Sequence, residues 1–163
     1  MEKRVYLIFA GVNGAGKSTL YAMCDLNLIP KERVNSDEIL KDMGGDWRNP
    51  AEQAAAMKEA VKRIRENFEK GISFNQETTL AGNSIINNIR LAKKKGYTVC
   101  MYYVGVDSVD IAVERVKQRE QKGGHGISEK DIRRRYDKSL ENLAKVIPYC
   151  DTIEVFDNTK QFR

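Results

Sequence analysis

An apolar run followed at once by a glycine-rich loop is the feature that most restricts what this chain can fold into. Residues 5–10 read VYLIFA, which is typical of a strand buried on both faces of a parallel sheet. Residues 11–18 then read GVNGAGKS, which matches the pattern G-x-x-x-x-G-K-S/T at every specified position. Glycines let backbone N–H groups curl around a phosphate, and the next helix directs its positive end at the anion. The sequence therefore predicts a phosphate-binding loop between a first strand and a first helix.

The residue types of this loop also predict the cofactors. Lys17 is expected to reach the β- and γ-phosphates of ATP, and the hydroxyl of Ser18 is expected to ligate Mg²⁺. The residues expected to hold the nucleotide are Gly11, Asn13, Gly14, Ala15, Gly16, Lys17, Ser18 and Thr19.

Strand-like and helix-like segments alternate along the rest of the chain. This order predicts an α/β fold, a three-layer P-loop NTPase of the nucleotide-kinase type with a five-stranded parallel sheet and a helical lid. We expect one domain over residues 1–163, with the lid around 115–135 and the first strand in the centre of the sheet. Helices are predicted at 17–28, 36–43, 51–70, 85–95, 109–121 and from 128, and further strands at 33–35, 72–76, 97–106 and 152–156. In the helix over 51–70, one stripe is expected to face the core: Ala54, Met57, Val61, Ile64 and Phe68.

Composition excludes several other classes of protein. The 163 residues are 41% hydrophobic and 31% charged, as in a globular domain with a full core. No apolar run approaches the roughly 20 residues of a membrane helix, and the N-terminus has no small-residue cleavage site. We therefore expect a cytoplasmic protein with no membrane partner. Three cysteines without C-x-x-C spacing predict neither a disulfide framework nor a zinc site.

The net charge of +5 is concentrated in one segment. Residues 115–135 hold eight basic and three acidic residues. Two helices joined by a glycine-rich stretch at 122–126 could form a hinged lid whose arginines close over a triphosphate. The alternative is a solvated helical hairpin. A nucleic-acid partner is not expected, because few aromatic residues are interleaved with these charges.

A phosphate-binding loop alone does not separate a switch, a motor and a kinase. The chain has no N-K-x-D guanine motif, and its only Asp-Glu pair, Asp37-Glu38, follows a short polar stretch. A small-molecule kinase is therefore favoured. Asp37 follows the second predicted strand, and Glu77 and Thr79 follow the third, where a parallel sheet presents residues to its ligand. Asp37 could instead be a first-turn helix residue, and Glu77 and Thr79 could belong to an ordinary turn.

Five segments in order along the chain resemble the zeta-toxin group of P-loop kinases. They are IFAGVNGAGKSTL, VNSDEIL, FNQETTLAG, RVKQREQKGGHGISEKDIRRRYDKSLENL and EVFDNT. The resemblance implies that Asp37 is the base for the acceptor hydroxyl and that Glu77 and Thr79 bind the acceptor. It also implies that lid arginines bind the ATP phosphates; by position these are Arg119 and Arg135, with Arg133 and Arg134 as rivals. Lys17, Asp37, Arg119 and Arg135 are thus the expected catalytic residues.

The same resemblance implies a function and partners. The implied reaction is ATP- and Mg²⁺-dependent transfer of the γ-phosphoryl group to a hydroxyl of a small molecule, with a UDP-linked amino sugar as the first candidate. An antitoxin protein is the implied partner. The lid departs from the family, because it reads Gly-Gly-His where those toxins place an arginine. The alternative function is a regulatory module that binds and slowly hydrolyses ATP and acts on a protein or RNA partner.

Three further residues have two interpretations each. His125, the only histidine, is either solvated or in contact with a phosphate. Trp47 either stacks on a substrate ring or anchors its loop to the core. Asn158 either touches adenine or serves a turn.

Overall fold

The computed structural model describes residues 3–162 as five strands alternating with helices. The strands are β1 (Val5–Ala10), β2 (Glu32–Val34), β3 (Phe74–Thr78), β4 (Thr98–Gly105) and β5 (Thr152–Asp157). The helices are α1 (Lys17–Met23), α2 (Ser36–Asp42), α3 (Pro50–Lys70), α4 (Asn83–Lys94), α5 (Val109–Gln121) and α6 (Glu129–Val146). A 3-10 turn, Ile147–Tyr149, joins α6 to β5.

All strand pairs in the sheet are parallel, and the order is β2-β3-β1-β4-β5. The first strand is therefore central, as predicted, and its end adjoins the ends of β3 and β4. Phe9 lies opposite Glu77, and Ala10 lies opposite Thr78. This register places the last residues of β3 beside the start of the glycine loop.

The sheet separates two apolar cores. On one face Tyr6 and Ile8 of β1 pack with residues of α3 and α4, including Phe68 and Ile89. On the other face Leu7 and Phe9 pack with residues of α5 and α6. Alternate side chains of one strand thus fill both layers, as expected for a sheet covered on both sides.

Two predicted boundaries were wrong. The first helix ends at Met23 and not near Leu28, because the Asp25 carboxylate accepts hydrogen bonds from the backbone and side chain of Asn27 and folds a turn there. The third strand is Phe74–Thr78 and not 72–76. Ser73 Oγ accepts a hydrogen bond from the Val5 N–H, so regular pairing with β1 begins one residue later. Glu77 therefore lies within the strand, and only Thr79 follows it.

The face of α3 that packs against the core also differs from the predicted face. The helix buries Ala56, Ala60, Ile64, Asn67 and Phe68 against the sheet. Met57 and Val61, which were expected in the core, are 62% and 52% exposed. Ala54 is exposed too. The helix is rotated relative to the prediction, so that Ala56 and Ala60 lie in the core while Met57 and Val61 contact solvent.

Capping residues explain where α2 and α6 begin. Asn35 caps α2 by accepting hydrogen bonds from the Asp37 and Glu38 N–H groups, so the helix begins at Ser36. Ser128 caps α6 and also donates to the Asp131 carboxylate at 2.8 Å.

Within residues 3–162, no helix has both the length and the hydropathy needed to cross a membrane.

Candidate functional site

The glycine loop has the backbone shape that its sequence predicts. Gly11 and Gly16 have φ angles of 145° and 110°, which side-chain-bearing residues rarely adopt. A Cβ at Gly11 would also collide with the Val104 carbonyl. Gly16 occupies the cap position of α1, so the first free N–H groups of that helix face the concave side of the loop. The loop therefore has the form of an anion-binding cradle.

Lys17 is the first residue of α1 and is only 8% exposed. Its Nζ lies 3.3 Å from the Val12 carbonyl oxygen, to which it donates. Burial lowers the pKa of Lys17, and the nearby carboxylates of Glu77 and Asp37 oppose that shift. The ammonium group is thus held inside the loop with two acidic side chains close by.

Glu77 lies near the end of β3, and its carboxylate accepts hydrogen bonds from three residues. The Ser18 hydroxyl lies 3.1 Å from each of its carboxylate oxygens. Arg33 Nη2 donates to it at 2.7 Å, and Asn35 Nδ2 donates at 3.0 Å. The Glu77 side chain is 12% exposed, so the guanidinium compensates a carboxylate largely removed from water.

Arg33 was not anticipated as part of the site. Its side chain is 9% exposed, stacks 3.6 Å from the centroid of the Tyr21 ring, and also donates to the Asn75 side chain at 3.0 Å. An arginine inside a short strand of a parallel sheet was the signal that could have found it, because such a charge needs a buried acidic partner.

Asp37 lies in the first turn of α2, and its side chain is 51% exposed. Its carboxylate is 3.9 Å from His125 Nε2, which belongs to the loop between α5 and α6. Asp37 thus adjoins the lid loop and lines the same cavity as Lys17.

The lid arginines fall into two pairs. Arg133 forms ion pairs with Asp110 and Glu129 at 2.7 and 2.8 Å, and Arg134 forms one with Asp131 at 3.2 Å. Arg135 instead donates from Nη1 to the Asn13 side chain of the glycine loop at 3.2 Å. Arg119 donates from Nε to the His125 carbonyl at 2.7 Å. Over residues 3–162, neither Arg119 nor Arg135 forms an ion pair with a carboxylate.

His125 and Trp47 bring the lid loop and the α2–α3 loop together. Their ring centroids are 5.4 Å apart at an angle of 40°, and Trp47 also packs against the core. The His125 side chain is 22% exposed, so it is not a solvated surface residue. Burial lowers its pKa, Asp37 opposes that shift, and Arg119 and Arg135 reinforce it.

Two asparagines donate side-chain hydrogen bonds to backbone carbonyls in the loops of the site. Asn158, after β5, donates to the Ala15 carbonyl of the glycine loop at 2.8 Å. Asn142 of α6 is fully buried and donates to the carbonyls of Leu80 and Gly82 at 2.8 and 3.3 Å. Leu80 has a φ of 60°, so Asn142 holds a β3–α4 loop that contains strained backbone. Asn142 was not predicted, because the contact joins residues 60 positions apart.

A single cavity of about 1170 Å³ joins most of these groups. Its lining includes the predicted site residues Asn13, Lys17, Asp37, Glu77, Thr79 and Arg135. Arg119 lies instead at a smaller cavity of about 370 Å³ on the outer side of α5. Four separate segments of sequence thus line this cavity, and Arg119 contacts the lid loop through the His125 carbonyl.

The oxygen atoms beside the cradle fit a magnesium ion. Mg²⁺ is usually held in proteins by one or two oxygen ligands, with phosphates and water completing its octahedron. Ser18 Oγ and the Glu77 carboxylate are such oxygens and are already in contact. The part of the chain that the structure describes has no cluster of three or more metal-binding acids, histidines and cysteines. Ser18 and Glu77 are the residues that could hold a magnesium ion beside the glycine loop.

Several known proteins are similar to this chain in sequence or in fold. An uncharacterized protein of Haemophilus influenzae (strain Rd) is 33% identical over 132 residues, which cover 80% of this chain and 91% of that protein. The PezAT chromosomal toxin-antitoxin system of Streptococcus pneumoniae has a similar chain, with a TM-score of 0.69 and 14% identity over 99% of this chain and 70% of that chain. AvrRxo1-ORF1:-ORF2 with ATP matches with a TM-score of 0.70 and 15% identity, over 95% of this chain and 55% of that chain.

These structural similarities confirm the predicted α/β fold of P-loop kinases. The family model described as Zeta toxin matches residues 1–162, nearly the whole length of the chain. By its sequence, its strand order and its glycine loop, this chain belongs to the zeta toxin family.

Proposed function

We propose that this protein is a kinase that uses ATP and Mg²⁺ to phosphorylate a hydroxyl group of a small molecule. One observation carries the proposal: Lys17 of the glycine loop and the carboxylate of Asp37 line the same cavity, with Arg135 beside them. A phosphoryl-transfer site needs a cationic cradle for the phosphates and an acidic group across from it for the acceptor.

In the proposed reaction, the acceptor oxygen attacks the γ-phosphorus and the bond from that phosphorus to the β–γ bridging oxygen breaks. ADP leaves, and the hydroxyl proton passes to the Asp37 carboxylate. Lys17 and Arg135 stabilise the negative charge on the transferring group, and Arg119 reaches it when the lid closes. Thr79 and Glu77 orient the acceptor beside Asp37.

Ser18 and Glu77 would hold the magnesium ion, which screens the charge of the β- and γ-phosphates when bound. Ser18 donates its hydroxyl hydrogen to Glu77. That contact leaves the lone pairs of Ser18 directed away from the carboxylate. Glu77 therefore has three proposed roles: it contacts the acceptor, helps to hold the metal ion and orients Ser18.

The acceptor is proposed from the family resemblance, with a UDP-linked amino sugar as the first candidate. An antitoxin protein is proposed as a partner on the same ground, because the PezAT chain with a similar fold belongs to a toxin-antitoxin system. A site for ATP and a nucleotide sugar fits a cytoplasmic location. The basic lid favours a phosphate clamp over an RNA-binding surface, because Lys117, Arg133 and Arg134 are paired with carboxylates.

The decisive experiment is a transfer assay with γ-³²P-labelled ATP and a panel of UDP-sugars, free sugars and nucleosides. The expected result is a labelled acceptor whose formation requires Mg²⁺. Lys17→Met should lose transfer, because the substitution removes the phosphate-binding charge. Release of labelled inorganic phosphate without any labelled acceptor would overturn the kinase proposal and favour an ATP-hydrolysing regulatory module.

A further inference from the structure

A buried tyrosine contacts a glutamine side chain in the wall of the cavity. Tyr6 of β1 has no exposed surface, and its ring packs against Phe74 and Phe68 with centroid distances of 4.6 and 5.5 Å. Its hydroxyl donates a hydrogen bond to Oε1 of Gln76 on β3, the strand beside β1. Gln76 is partly buried and lines the cavity of the candidate site. One end of its amide is therefore held by a residue of the core.

The apolar surroundings of Tyr6 determine which atom donates. Burial raises the pKa of Tyr6, so the hydroxyl keeps its hydrogen. That hydrogen is paired with Oε1 of Gln76. If the amide were turned over, the hydrogen would be left without an acceptor among aromatic rings, which is unfavourable for a buried donor. Tyr6 therefore selects one of the two orientations of the Gln76 amide.

This orientation directs the other end of the amide at the cavity. The side-chain nitrogen of glutamine carries two N–H donors. Nε2 of Gln76 forms no hydrogen bond with another of residues 3–162, and it is not sealed from solvent. The wall of the cavity thus presents two donors that lack an acceptor in the described part of the chain.

Gln76 is also close to the residues of the proposed reaction. It directly precedes Glu77 in β3, and both line the same cavity as Asp37 and Thr79. A small molecule whose hydroxyl reaches Asp37 can therefore also reach the Gln76 amide. A carbonyl oxygen of that molecule would accept from Nε2, whereas an amino group in the same place would bring donors against donors.

We propose that Gln76 is a specificity-determining residue for the acceptor and that Tyr6 is its positioning residue. Tyr6 holds the amide with its N–H groups towards the cavity, so a carbonyl oxygen is preferred at that place and an amino group is rejected. The inference rests on the proposed kinase function and adds a chemical requirement for the acceptor. The carbonyl belongs either to a heterocyclic ring or to an acyl amide, and the test separates these two sources.

The test measures binding by calorimetry, so that it does not depend on catalysis. Two pairs of probes exchange a carbonyl for an amino group: UDP-glucose with CDP-glucose at the pyrimidine ring, and UDP-N-acetylglucosamine with UDP-glucosamine at the sugar. In the wild type, the carbonyl-bearing member of one pair should bind about tenfold more tightly or better, because the other member leaves the donors unpaired. The pair that shows this difference identifies the source of the carbonyl.

Variants of both residues show whether the amide causes the preference. Gln76→Glu keeps an acceptor for the Tyr6 hydroxyl but replaces the two donors by a carboxylate oxygen, so the preference should reverse in favour of the amino-bearing probe. Tyr6→Phe removes the contact that holds the amide, and the preference should fall to within about threefold because the amide can then turn over. Gln76→Glu decides the question should Tyr6→Phe fail to fold.

The matched control is Tyr97→Phe. Tyr97 is 2% exposed, packs against the same Phe74 ring and forms hydrogen bonds with the carbonyl oxygens of Asn67 and Ile72. It does not line the cavity, so this variant should lose buried hydrogen bonds and retain the wild-type preference. The inference would be overturned by an equal loss of preference in the two tyrosine variants, by an unchanged preference in Tyr6→Phe or Gln76→Glu, or by a wild type that prefers neither carbonyl.

The two proposals fail in different ways. If the carbonyl-bearing probes bind preferentially but no sugar or nucleoside is phosphorylated, the kinase proposal fails and Gln76 remains a ligand-selecting residue. If a UDP-sugar is phosphorylated while neither pair of probes differs in affinity, the kinase proposal stands and the inference about Gln76 fails.

Discussion

The hydroxyl of Ser18 lies 3.1 Å from both carboxylate oxygens of Glu77, although the two residues are 59 positions apart. Ser18 is the second residue of α1, directly after the glycine loop, and Glu77 belongs to β3, the strand next to β1. Parallel pairing brings the carboxyl ends of these strands to one edge of the sheet. The contact links the residue expected to hold Mg²⁺ to a carboxylate neutralised by Arg33.

Glu77→Gln should weaken the use of magnesium. The amide keeps the shape of the side chain but loses the charge, so the Mg²⁺ concentration for half-maximal transfer should rise and kcat should fall about 10²-fold. A magnesium titration at saturating ATP measures both. Glu38→Gln is the control, because Glu38 also binds Arg33, at 3.0 Å, but is 51% exposed. Equal shifts in the two variants would contradict a role for Glu77 at the metal.

Asp37→Asn should remove phosphoryl transfer and leave nucleotide binding nearly unchanged. The amide cannot take the proton of the acceptor hydroxyl, and loss of a general base costs about 10² to 10⁴ in rate. Transfer of labelled phosphate gives kcat, and calorimetry with a non-hydrolysable ATP analogue gives the affinity. Asp42→Asn, on the exposed end of the same helix, should behave as wild type. Turnover at the wild-type rate in Asp37→Asn would exclude Asp37 as the base.

Arg135→Gln should lower kcat about 10²-fold, because Arg135 is the α6 arginine that reaches the glycine loop. Arg133→Gln is the comparison, since Arg133 is engaged with Asp110 and Glu129 on the outside of the lid. Its kcat should stay within about twofold of wild type. Steady-state kinetics with varied ATP separates the two effects. A larger loss in Arg133→Gln than in Arg135→Gln would reverse the assignment.

Asn142→Ala should destabilise the fold by about 1–3 kcal/mol, because it leaves the buried carbonyl of Leu80 without its side-chain donor. The β3–α4 loop lines the acceptor end of the cavity, so KM for the acceptor should rise more than KM for ATP. Urea denaturation and two-substrate kinetics measure these effects. Asn87→Ala, at an exposed position of α4, provides the control. A variant with the same stability as wild type would show that the two hydrogen bonds do not hold the loop.

The contribution of His125 to the free energy of unfolding should decrease as the pH falls. Burial lowers the pKa of His125 below its ordinary value of 6.5, against the attraction of Asp37 and with the repulsion of Arg119 and Arg135. Between those two pKa values the unfolded chain binds more protons, so the stability contributed by His125 is complete above about pH 6.5 and is lost as the pH falls.

Urea denaturation followed by the fluorescence of Trp47, the only tryptophan, can measure this contribution. The free energy of unfolding of wild type should fall more steeply below pH 6.5 than that of His125→Gln. Because all other titrating groups are common to both proteins, the difference isolates the imidazole. Parallel pH profiles would show that His125 does not titrate against its folded environment.

Much of the fold and part of the site follow from local sequence patterns. The run at 5–10, the glycines after it and the alternation of strands and helices were sufficient to predict a parallel sheet, whereas the central first strand was expected by analogy with the nucleotide-kinase type of fold. Lys17 and Ser18 were predicted because the loop that holds them is one continuous segment whose backbone shape depends on its own glycines. Asp37 and Thr79 were placed at the correct edge of the sheet because each follows a strand.

Tertiary structure decided which side chains meet. The sequence left Arg133, Arg134 and Arg135 open as rivals, and the structure pairs Arg133 with Asp110 and Arg134 with Asp131 but places Arg135 beside Asn13. The rotation of α3 about its axis exposed Met57 and Val61, which line the cavity. Arg33 and Asn142 act through partners more than 40 residues away. Local patterns determine periodicity and turns. Packing between elements determines helix rotation and long-range contacts, because the sequence of one segment does not specify which distant segment it will contact.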